Sequence, residues 1–169
     1  MEVEELTLDL VKETDDILRK PARPWSDDLG YDRKQLVKEM LSFMIIKGGI
    51  GLAAPQIGLD LAVFVMGNET TSYACFNPRL VSADKELAMM QEGCLSFPGL
   101  FMNVKRPATI TVEYEDLEGE TQQHELTGIM ARVFLHEYDH LLGVCFTDRV
   151  PDLSLKLAQG RRTKNLKKR

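Results

Sequence analysis

The segment GIMARVFLHEYDHLLG, residues 128–143, decides the fold of this chain. Four of its residues recur at spacings of four, three and four: Ile129, Val133, His136 and His140. This is the spacing of one face of an α-helix, so the pattern predicts a helix from about residue 128 to 142. Thr127 is a suitable residue to cap its start, and Gly143 stands where a helix commonly ends. The core-facing side of this helix therefore carries two imidazole groups.

Two imidazole groups one helical turn apart are well placed to bind the same metal ion. The string HEYDH, residues 136–140, also fits the HExxH pattern. In that pattern two histidines bind a metal and the adjacent glutamate handles the protons of a water molecule. A single histidine on an apolar helix face is usually a core residue, but two of them with the glutamate favour a metal site. The remaining histidine, His124, is expected to be exposed on a strand.

A catalytic metal ion needs a third protein ligand and one open position. The sequence after the helix offers few oxygen donors, because no glutamate follows Glu137. Phe146 stands where the extended HExxHxxGxxH pattern has its last histidine. Asp148 and Asp152 remain as downstream carboxylate ligands, although their support is weak.

The thiols upstream and downstream of the helix are the other donors of the right chemistry. Cys75 and Cys145 both lie in apolar surroundings and fit small buried core residues. Cys94 lies in the polar, glycine-containing stretch EGCLS, residues 92–96, where a thiol has no packing role. We therefore favour Cys94 as the third ligand.

A glycine-rich stretch, GIGLAAPQ at residues 49–56, is the second group of residues with chemical potential. It mimics the G-x-G-x-x-A dinucleotide fingerprint, but it follows a predicted helix and runs into Pro55, which excludes that interpretation. A backbone of glycine and alanine can lie close to an extended ligand and pair with it as a strand does. Gln56 can donate a hydrogen bond to a developing oxyanion, with a turn-stabilising role as the alternative.

The elements around these motifs predict the fold class. Apolar spacing predicts a helix over residues 34–47, and an apolar stretch predicts a buried strand over 59–66. Alternation predicts a hairpin of strands at 108–115 and 121–126. One helix, several short strands and a second helix together predict an α+β domain with antiparallel pairing.

The length and composition suit one well-buried core. The chain has 169 residues, of which 44% are hydrophobic, so we predict a single catalytic domain over residues 1–150 and a short basic tail over 151–169. Pro151 and the residues after it predict at most a short helix. The longest apolar run, residues 61–66, is far shorter than the about 20 residues of a membrane span. The acidic start lacks the pattern of a secretory signal, and three sparse cysteines favour reduced thiols inside a cell.

The net charge of −5 is distributed unevenly. From residue 152 onward seven basic residues face one acidic residue, a local charge of +6 that leaves −11 on residues 1–151. An acidic body does not favour DNA binding. The basic tail could contact RNA phosphates or could be a solvated terminus.

Three segments now stand in order along the chain: GIGLAAPQ at 49–56, EGCLS at 92–96 and HEYDH at 136–140. Together they resemble the peptide deformylases, which remove the formyl group from the N-terminal formyl-methionine of nascent proteins. The resemblance covers about residues 15 to 149. It implies short antiparallel sheets packed around a central helix that carries HExxH, and a metal-dependent hydrolase that releases formate. The implied ion is Fe(II), with zinc, nickel or cobalt also able to occupy the site.

The resemblance also implies a role for each residue of these segments. The metal ligands would be Cys94, His136 and His140. Glu137 would be the general base, while Gln56 and the backbone N–H of Leu95 would hold the oxyanion. The residues that bind the substrate would be Ile50, Gly51, Met90, Ile129 and Val133. Gly51 would pair with the peptide backbone, and the apolar side chains would surround the methionine.

The partners and the compartment follow from the same resemblance. The substrate would be an N-formyl-methionyl nascent peptide in the cytoplasm of a bacterium or a phage-infected host, or alternatively in an organellar stroma or matrix. The basic tail could contact the ribosome, and no DNA or membrane partner is expected. Leu135 departs from the glutamine that family members often carry before HExxH.

Two rival interpretations remain open. One is an HExxH endopeptidase that uses Asp148 or Asp152 as its third metal ligand. The other is a closed structural zinc site of cysteine and histidine in a protein that only recognises peptides.

Overall fold

The computed structural model describes residues 7–169, so the first six residues of the predicted domain lie outside the described part. The helices and strands of this part follow one another as α1 (Arg33–Ile46), β1 (Gly51–Ala53), β2 (Val63–Gly67), β3 (Ser72–Ala83), β4 (Leu87–Cys94), β5 (Phe97–Pro107), β6 (Thr109–Glu115), β7 (Thr121–Thr127), α2 (Gly128–Leu141) and α3 (Asp152–Lys167). Short 3-10 turns occupy Asp16–Arg19, Ala54–Ile57 and Phe146–Arg149. The predicted α+β class is confirmed.

The strands form two antiparallel sheets. Five of them pair in the order β1-β2-β3-β6-β7, and β4 and β5 form a separate two-stranded sheet. β1 stands at the edge of the larger sheet and pairs there only with β2. The alternation predicted for β6 is confirmed, because Ile110, Val112 and Tyr114 are buried on one of its faces.

Helix α2 lies against both sheets and is central to the molecule. It contacts β1, β2, β6 and β7 of the larger sheet and β5 of the smaller one. Phe134 of α2 packs edge-on against Phe64 of β2, with ring centroids 5.1 Å apart. Both residues are fully buried, as is His140, which lies nearly two turns after Phe134. The predicted central helix therefore holds residues 136–140 within the core.

The start of α2 differs from the prediction. Thr127 precedes the helix, but its side chain makes no capping hydrogen bond. Gly128, the first helical residue, has a φ of +57°, so the chain enters the helix through left-handed backbone that glycine tolerates. The threonine side chain is therefore not held over the first turn.

The strand predicted over residues 59–66 is shorter at its start and begins only at Val63. Gly58 has a φ of +80°, which ends the preceding turn, and the next residues form a loop. Asp60 in this loop accepts hydrogen bonds from Lys20 Nζ and the Arg23 N–H. At the start of β2, Asp60 is therefore held by these polar contacts and not by hydrogen bonds to a neighbouring strand.

The expectation of at most a short helix after Pro151 was wrong. Helix α3 has 16 residues, Asp152–Lys167, and packs on β5. Ala158 is buried against that strand, and Arg162 forms an ion pair with Glu13 at 2.9 Å. A mid-helix glycine, Gly160, and a mostly polar composition hid this helix in the sequence. Packing on one side, together with the ion pair, overrides the weak intrinsic propensity.

Among residues 7–169, no helix is both long enough and apolar enough to cross a bilayer.

Helix α1 begins with a side-chain cap and α2 does not, so the two helix starts can be compared in a stability measurement. The Asp32 carboxylate accepts a hydrogen bond from the Gln35 N–H at 2.8 Å and caps the helix. Replacing Asp32 by alanine is expected to lower the free energy of unfolding by about 1 kcal/mol. Replacing Thr127 by alanine is expected to cost less than about 0.5 kcal/mol, because that side chain makes no capping bond. Urea denaturation of both variants measures the difference, and equal losses would contradict the assignment of the caps.

Candidate metal centre and active site

The structure brings together three side chains that sequence analysis assigned to a metal. Cys94 ends β4, and His136 and His140 lie one turn apart on α2. One donor atom from each of these residues lies within 4.8 Å of the other two. The Cys94 Sγ is 3.4 Å from the His140 Nε2. A sulfur and two imidazole nitrogens at this spacing form a donor set of the kind that binds a divalent transition metal.

The orientation of His136 is set by a buried carboxylate. His136 Nδ1 lies 2.8 Å from Glu92 Oε1, so this nitrogen carries the proton and donates it. The other ring nitrogen, Nε2, is then left to act as a ligand. Such a carboxylate behind a ligating histidine fixes both the tautomer and the ring orientation.

Glu92 is itself held by two buried arginines. Arg106 donates to it from Nε at 2.7 Å and from Nη2 at 2.9 Å, and Arg132 donates from Nη1 at 2.8 Å. Burial opposes the ionisation of Glu92. The hydrogen bonds from His136 and Arg106 outweigh burial and hold the pKa of the Glu92 carboxyl well below its usual range. Glu92 is therefore a buried carboxylate that accepts hydrogen bonds from Arg106, Arg132 and His136.

Arg106 also connects the small sheet to α2. Its Nη1 donates to Asp139 Oδ2 at 2.7 Å, and Arg149 binds the same carboxylate through two hydrogen bonds of 3.0 and 2.7 Å. Asp139 lies next to His140 on the helix. The two elements that carry the sulfur and the imidazoles are thus joined by charged groups behind the donor cluster.

The protonation behaviour of the donors fits a cation. Burial lowers the pKa of His140 well below its usual value, which keeps this imidazole neutral. Burial lowers the pKa of His136 as well, but hydrogen bonds with Cys94 and Glu92 outweigh burial and raise it to about 10. A divalent cation bound by His136 would displace a proton from the ring nitrogen that binds it, because a metal ligand must be deprotonated there. One sulfur and two imidazole nitrogens therefore fit a divalent metal ion.

Glu137 lies beside the donor cluster and faces β1. Burial raises the pKa of the Glu137 carboxyl to about 7. Its Oε2 is buried and has no hydrogen-bond partner among the described residues. A methyl group added at Gly51 would overlap the Glu137 Oε1, so only glycine at this position leaves room for the carboxylate. A buried carboxyl that titrates near neutrality suits a group that accepts and returns a proton.

The side chain of Gln56 is fixed in a single orientation. Its Oε1 accepts a hydrogen bond from the Ala53 N–H at 2.8 Å, and its Nε2 donates to Ser96 Oγ at 3.0 Å. The same Nε2 lies 3.5 Å from Cys94 Sγ. The amide donor therefore points toward the donor cluster, while the Oε1 stabilises the turn Ala54–Ile57, so the side chain fits both of its predicted roles. Leu95 follows Cys94 directly in the chain.

A cavity of about 390 Å³ opens beside these groups. Gln56, Cys94, His136 and Glu137 line it. Its walls also include five further residues predicted to lie at the site: Ile50, Gly51, Leu95, Ile129 and Val133. Met90 is not among the lining residues, because the cavity reaches β4 only from Gln91 onward. Met90 instead pairs with Val104 further along the hairpin.

Some contributors to the site carry no sequence motif. Arg106 and Arg132 stand at positions where the strand alternation and the helix face call for apolar residues, and that mismatch was a usable signal. Phe101 of β5 lines the cavity and is 55% exposed. A single aromatic residue in an alternating strand offers no comparable signal.

The downstream carboxylates lie outside the donor cluster. Asp148 accepts a hydrogen bond from the Cys145 N–H at 3.0 Å and forms an ion pair with Arg19. Asp152 is exposed at the start of α3. Cys75 and Cys145 are buried core thiols, and His124 is exposed, as the sequence predicted.

Known proteins resemble this chain over most of its length. The profile of the polypeptide deformylase family matches residues 7–156. A peptide deformylase of Microchaete diplosiphon is 42% identical over 152 residues, which cover 86% of this chain and 79% of that protein. A peptide deformylase of Thermotoga maritima is 40% identical over 136 residues, which cover 80% of this chain and 82% of that protein.

Solved structures give the same result for the fold. The peptide deformylase of Synechococcus elongatus in complex with actinonin superposes with a TM-score of 0.85 at 37% identity, covering 96% of this chain and 90% of that one. A plant peptide deformylase superposes with a TM-score of 0.85 at 35% identity, covering 99% of this chain and 94% of that one. The chain therefore belongs to the peptide deformylase family.

Proposed function

We propose that this chain binds a divalent metal ion through Cys94, His136 and His140 and uses it to hydrolyse the formyl amide of N-formyl-methionyl nascent peptides. Family membership confirms the predicted enzyme class, a hydrolase that removes the N-terminal formyl group of nascent polypeptides. The single observation that carries the residue assignment is the convergence of one sulfur and two imidazole nitrogens within 4.8 Å beside a buried glutamate.

The reaction needs a proton acceptor, an oxyanion site and a proton donor. A bound metal ion supplies Lewis acidity toward water and the formyl oxygen. Glu137 takes a proton from the attacking water, whose oxygen bonds to the formyl carbon. The Gln56 Nε2 and the Leu95 N–H donate hydrogen bonds to the oxyanion that forms. Glu137 then gives the proton to the departing amine, the C–N bond breaks, and formate and the free peptide leave.

The peptide is held by an edge strand. Because β1 pairs with β2 on one side only, its other side can accept an extended peptide near Gly51. Ile50, Ile129 and Val133 supply apolar walls of the cavity for the methionine side chain. Gly51 has no side chain, so the backbone of the peptide can approach the backbone of β1 closely.

Fe(II) is the ion that we propose for the cell, with zinc, nickel or cobalt able to occupy the site. The family is metal-dependent, and the thiolate of Cys94 supports a softer transition metal over magnesium or calcium. A thiolate also donates more electron density than imidazole, which makes the ion a weaker Lewis acid. The formyl carbon bears only hydrogen, so a tight site can accept it and exclude the bulkier peptide bond.

The proposed function is tested by release of formate from formyl-Met-Ala-Ser by protein purified without oxygen. The expected result is turnover that scales with bound metal and disappears after chelation. An endopeptidase would instead cleave unformylated peptides internally. No formate release by the metal-loaded protein would overturn the proposal.

Replacing Cys94 by alanine separates the proposed site from a site that uses Asp148 or Asp152. We expect the variant to lose the bound metal, since one of three protein ligands is removed. Metal analysis after gel filtration measures the content, and the circular dichroism spectrum checks that the variant is folded. The Cys145→Ala variant is the matched control, because that buried thiol lies outside the donor cluster. Metal content unchanged in the Cys94 variant would favour the endopeptidase.

We propose further that α3 contacts the ribosome. The helix exposes Arg161, Lys164 and Lys167, whereas Arg162 forms an ion pair with Glu13. Reversing the three exposed charges to glutamate is expected to weaken cosedimentation with ribosomes most strongly at low salt. Reversal of Lys38, Lys85 and Lys105, which are exposed elsewhere, is the control. Equal binding of both triple variants would contradict the contact.

The compartment that we propose is the cytoplasm of a bacterium or a phage-infected host, with an organellar stroma or matrix as the alternative. The substrate supports this, since formylated nascent chains must be present where the enzyme works. Immunodetection in fractionated source cells tests the assignment.

A further inference from the structure

Phe101 occupies an unusual position on the β4–β5 hairpin. Residues of β5 alternate between buried and exposed, and Phe101 lies on the exposed side, where Asn103 and Lys105 follow it. Its ring is 55% exposed and lines the cavity beside the donor cluster. Core packing does not explain an aromatic side chain at an exposed position of this strand. Exposed apolar surface at the mouth of a cavity commonly marks a binding site.

The ring of Phe101 is held in place by a glycine. A methyl group added at Gly93 would lie 2.7 Å from Phe101 Cε1 and 3.0 Å from Cδ1. The absence of a side chain at Gly93 therefore lets the ring lie on the backbone next to Cys94. Covering a glycine in this way stabilises a hairpin, and it also fixes where the exposed side of the ring points.

The ring completes an apolar rim around the cavity. Ile50 and Ile129 line the same cavity and are each 53% exposed. These two residues lie on the β1 and α2 sides, and Phe101 lies on the hairpin side. The cavity thus has apolar walls on both sides of the path that an extended peptide would follow along β1.

The geometry of an extended peptide determines which residue meets this ring. Successive side chains of an extended chain point to opposite sides, with an advance of about 3.3 Å per residue. With the formyl carbon at the donor cluster and the methionine side chain toward Val133 on α2, the next side chain points toward the hairpin. Phe101 lies on that hairpin side, against Gly93 and next to Cys94, and both Phe101 and Gly93 line the cavity.

We propose that Phe101 is a specificity-determining residue that contacts the side chain following formyl-methionine and selects large apolar residues there. This inference rests on the proposed function for the direction of the peptide. It assigns the ring to substrate selection in addition to its cover of Gly93.

The test compares kcat/KM for formyl-Met-Leu-Ser and formyl-Met-Gly-Ser in the metal-loaded protein and its variants. In the wild type we expect the leucine peptide to be preferred, and Phe101→Ala to reduce the ratio of the two values about tenfold, through KM. Phe101→Leu is expected to keep most of the preference. Met89→Ala is the matched control, since Met89 is exposed on the same hairpin but does not line the cavity. The ratio is insensitive to the fraction of folded protein.

A binding measurement separates this proposal from the proposed function. Calorimetric titration with the product peptides Met-Leu-Ser and Met-Gly-Ser is expected to show the same preference and the same loss in Phe101→Ala. If the wild type releases no formate but binds with this Phe101-dependent preference, the proposed reaction fails and the assignment of Phe101 stands. An unchanged ratio, or equal losses for both peptides, would overturn the assignment and leave the ring only as a cover for Gly93.

Discussion

Replacing Glu137 by glutamine is expected to slow formate release by about 10²- to 10⁴-fold without reducing the metal content. The amide has nearly the same shape as the carboxyl but cannot accept and return the proton. Glu137 does not belong to the group of donor atoms, so coordination should persist. Because burial raises the pKa of this carboxyl to about 7, the group is suited to proton transfer at neutral pH.

Three measurements on the same preparation decide this prediction. Formate release gives the rate, elemental analysis gives the metal content, and thermal unfolding reports the fold. The Glu125→Gln variant on β7 is the control, since that residue is exposed and belongs neither to the donor cluster nor to the cavity wall. Full turnover in the Glu137 variant would remove the residue from the mechanism, and loss of metal would make it a ligand.

Replacing Glu92 by glutamine is expected to cost about 3–5 kcal/mol in the free energy of unfolding, the largest effect on stability that we predict. The change removes the charged partner of Arg132 and leaves Arg106 paired only with Asp139, and both arginines are about 5% exposed or less. It also weakens the contact that orients His136, so we expect about 10- to 100-fold lower metal affinity.

The two effects of Glu92 can be measured separately. Urea denaturation of protein stripped of metal gives the loss of stability, and competition with a chromophoric chelator gives the affinity. Glu113→Gln is the control, because Glu113 pairs with Arg79, whose side chain is 59% exposed, and should cost about 0–1 kcal/mol. A Glu92 variant that unfolds at the wild-type urea concentration would show that the buried charges are compensated in another way.

The parts of the fold that could be predicted are those with a strong local period. The apolar spacing before His136 predicted α2, and the alternation over Ile110, Val112 and Tyr114 predicted β6, because each pattern reflects one buried face. Helix α3 was missed since its stability comes from one packed side and the Arg162–Glu13 ion pair rather than from propensity. Long-range contacts of this kind leave no period in the sequence.

The residues of the candidate site could likewise be predicted only in part. Cys94 could be selected because a thiol in a polar, glycine-containing stretch has no packing role, and the structure brings it to the two histidines. Met90 was assigned to the cavity as an apolar residue within the family resemblance, and neither its apolarity nor the resemblance says where along a strand a wall ends. Arg106 breaks the strand pattern and could be noticed in the sequence, but its partners Glu92 and Asp139 could not. The contact of Phe101 with Gly93 likewise depends on how the hairpin pairs.

The bridge from Glu92 through Arg106 to Asp139 has a consequence for how the molecule opens. Within the described residues β4 and β5 pair only with each other, so no strand pairing joins this hairpin to the larger sheet. Buried ion pairs from the hairpin to Asp139 and Arg132 join it to α2, and the apolar face of β5 packs against the rest of the molecule. Amide protons of β4 and β5 should therefore exchange with solvent together, as one cooperative unit, when these ion pairs and apolar contacts open.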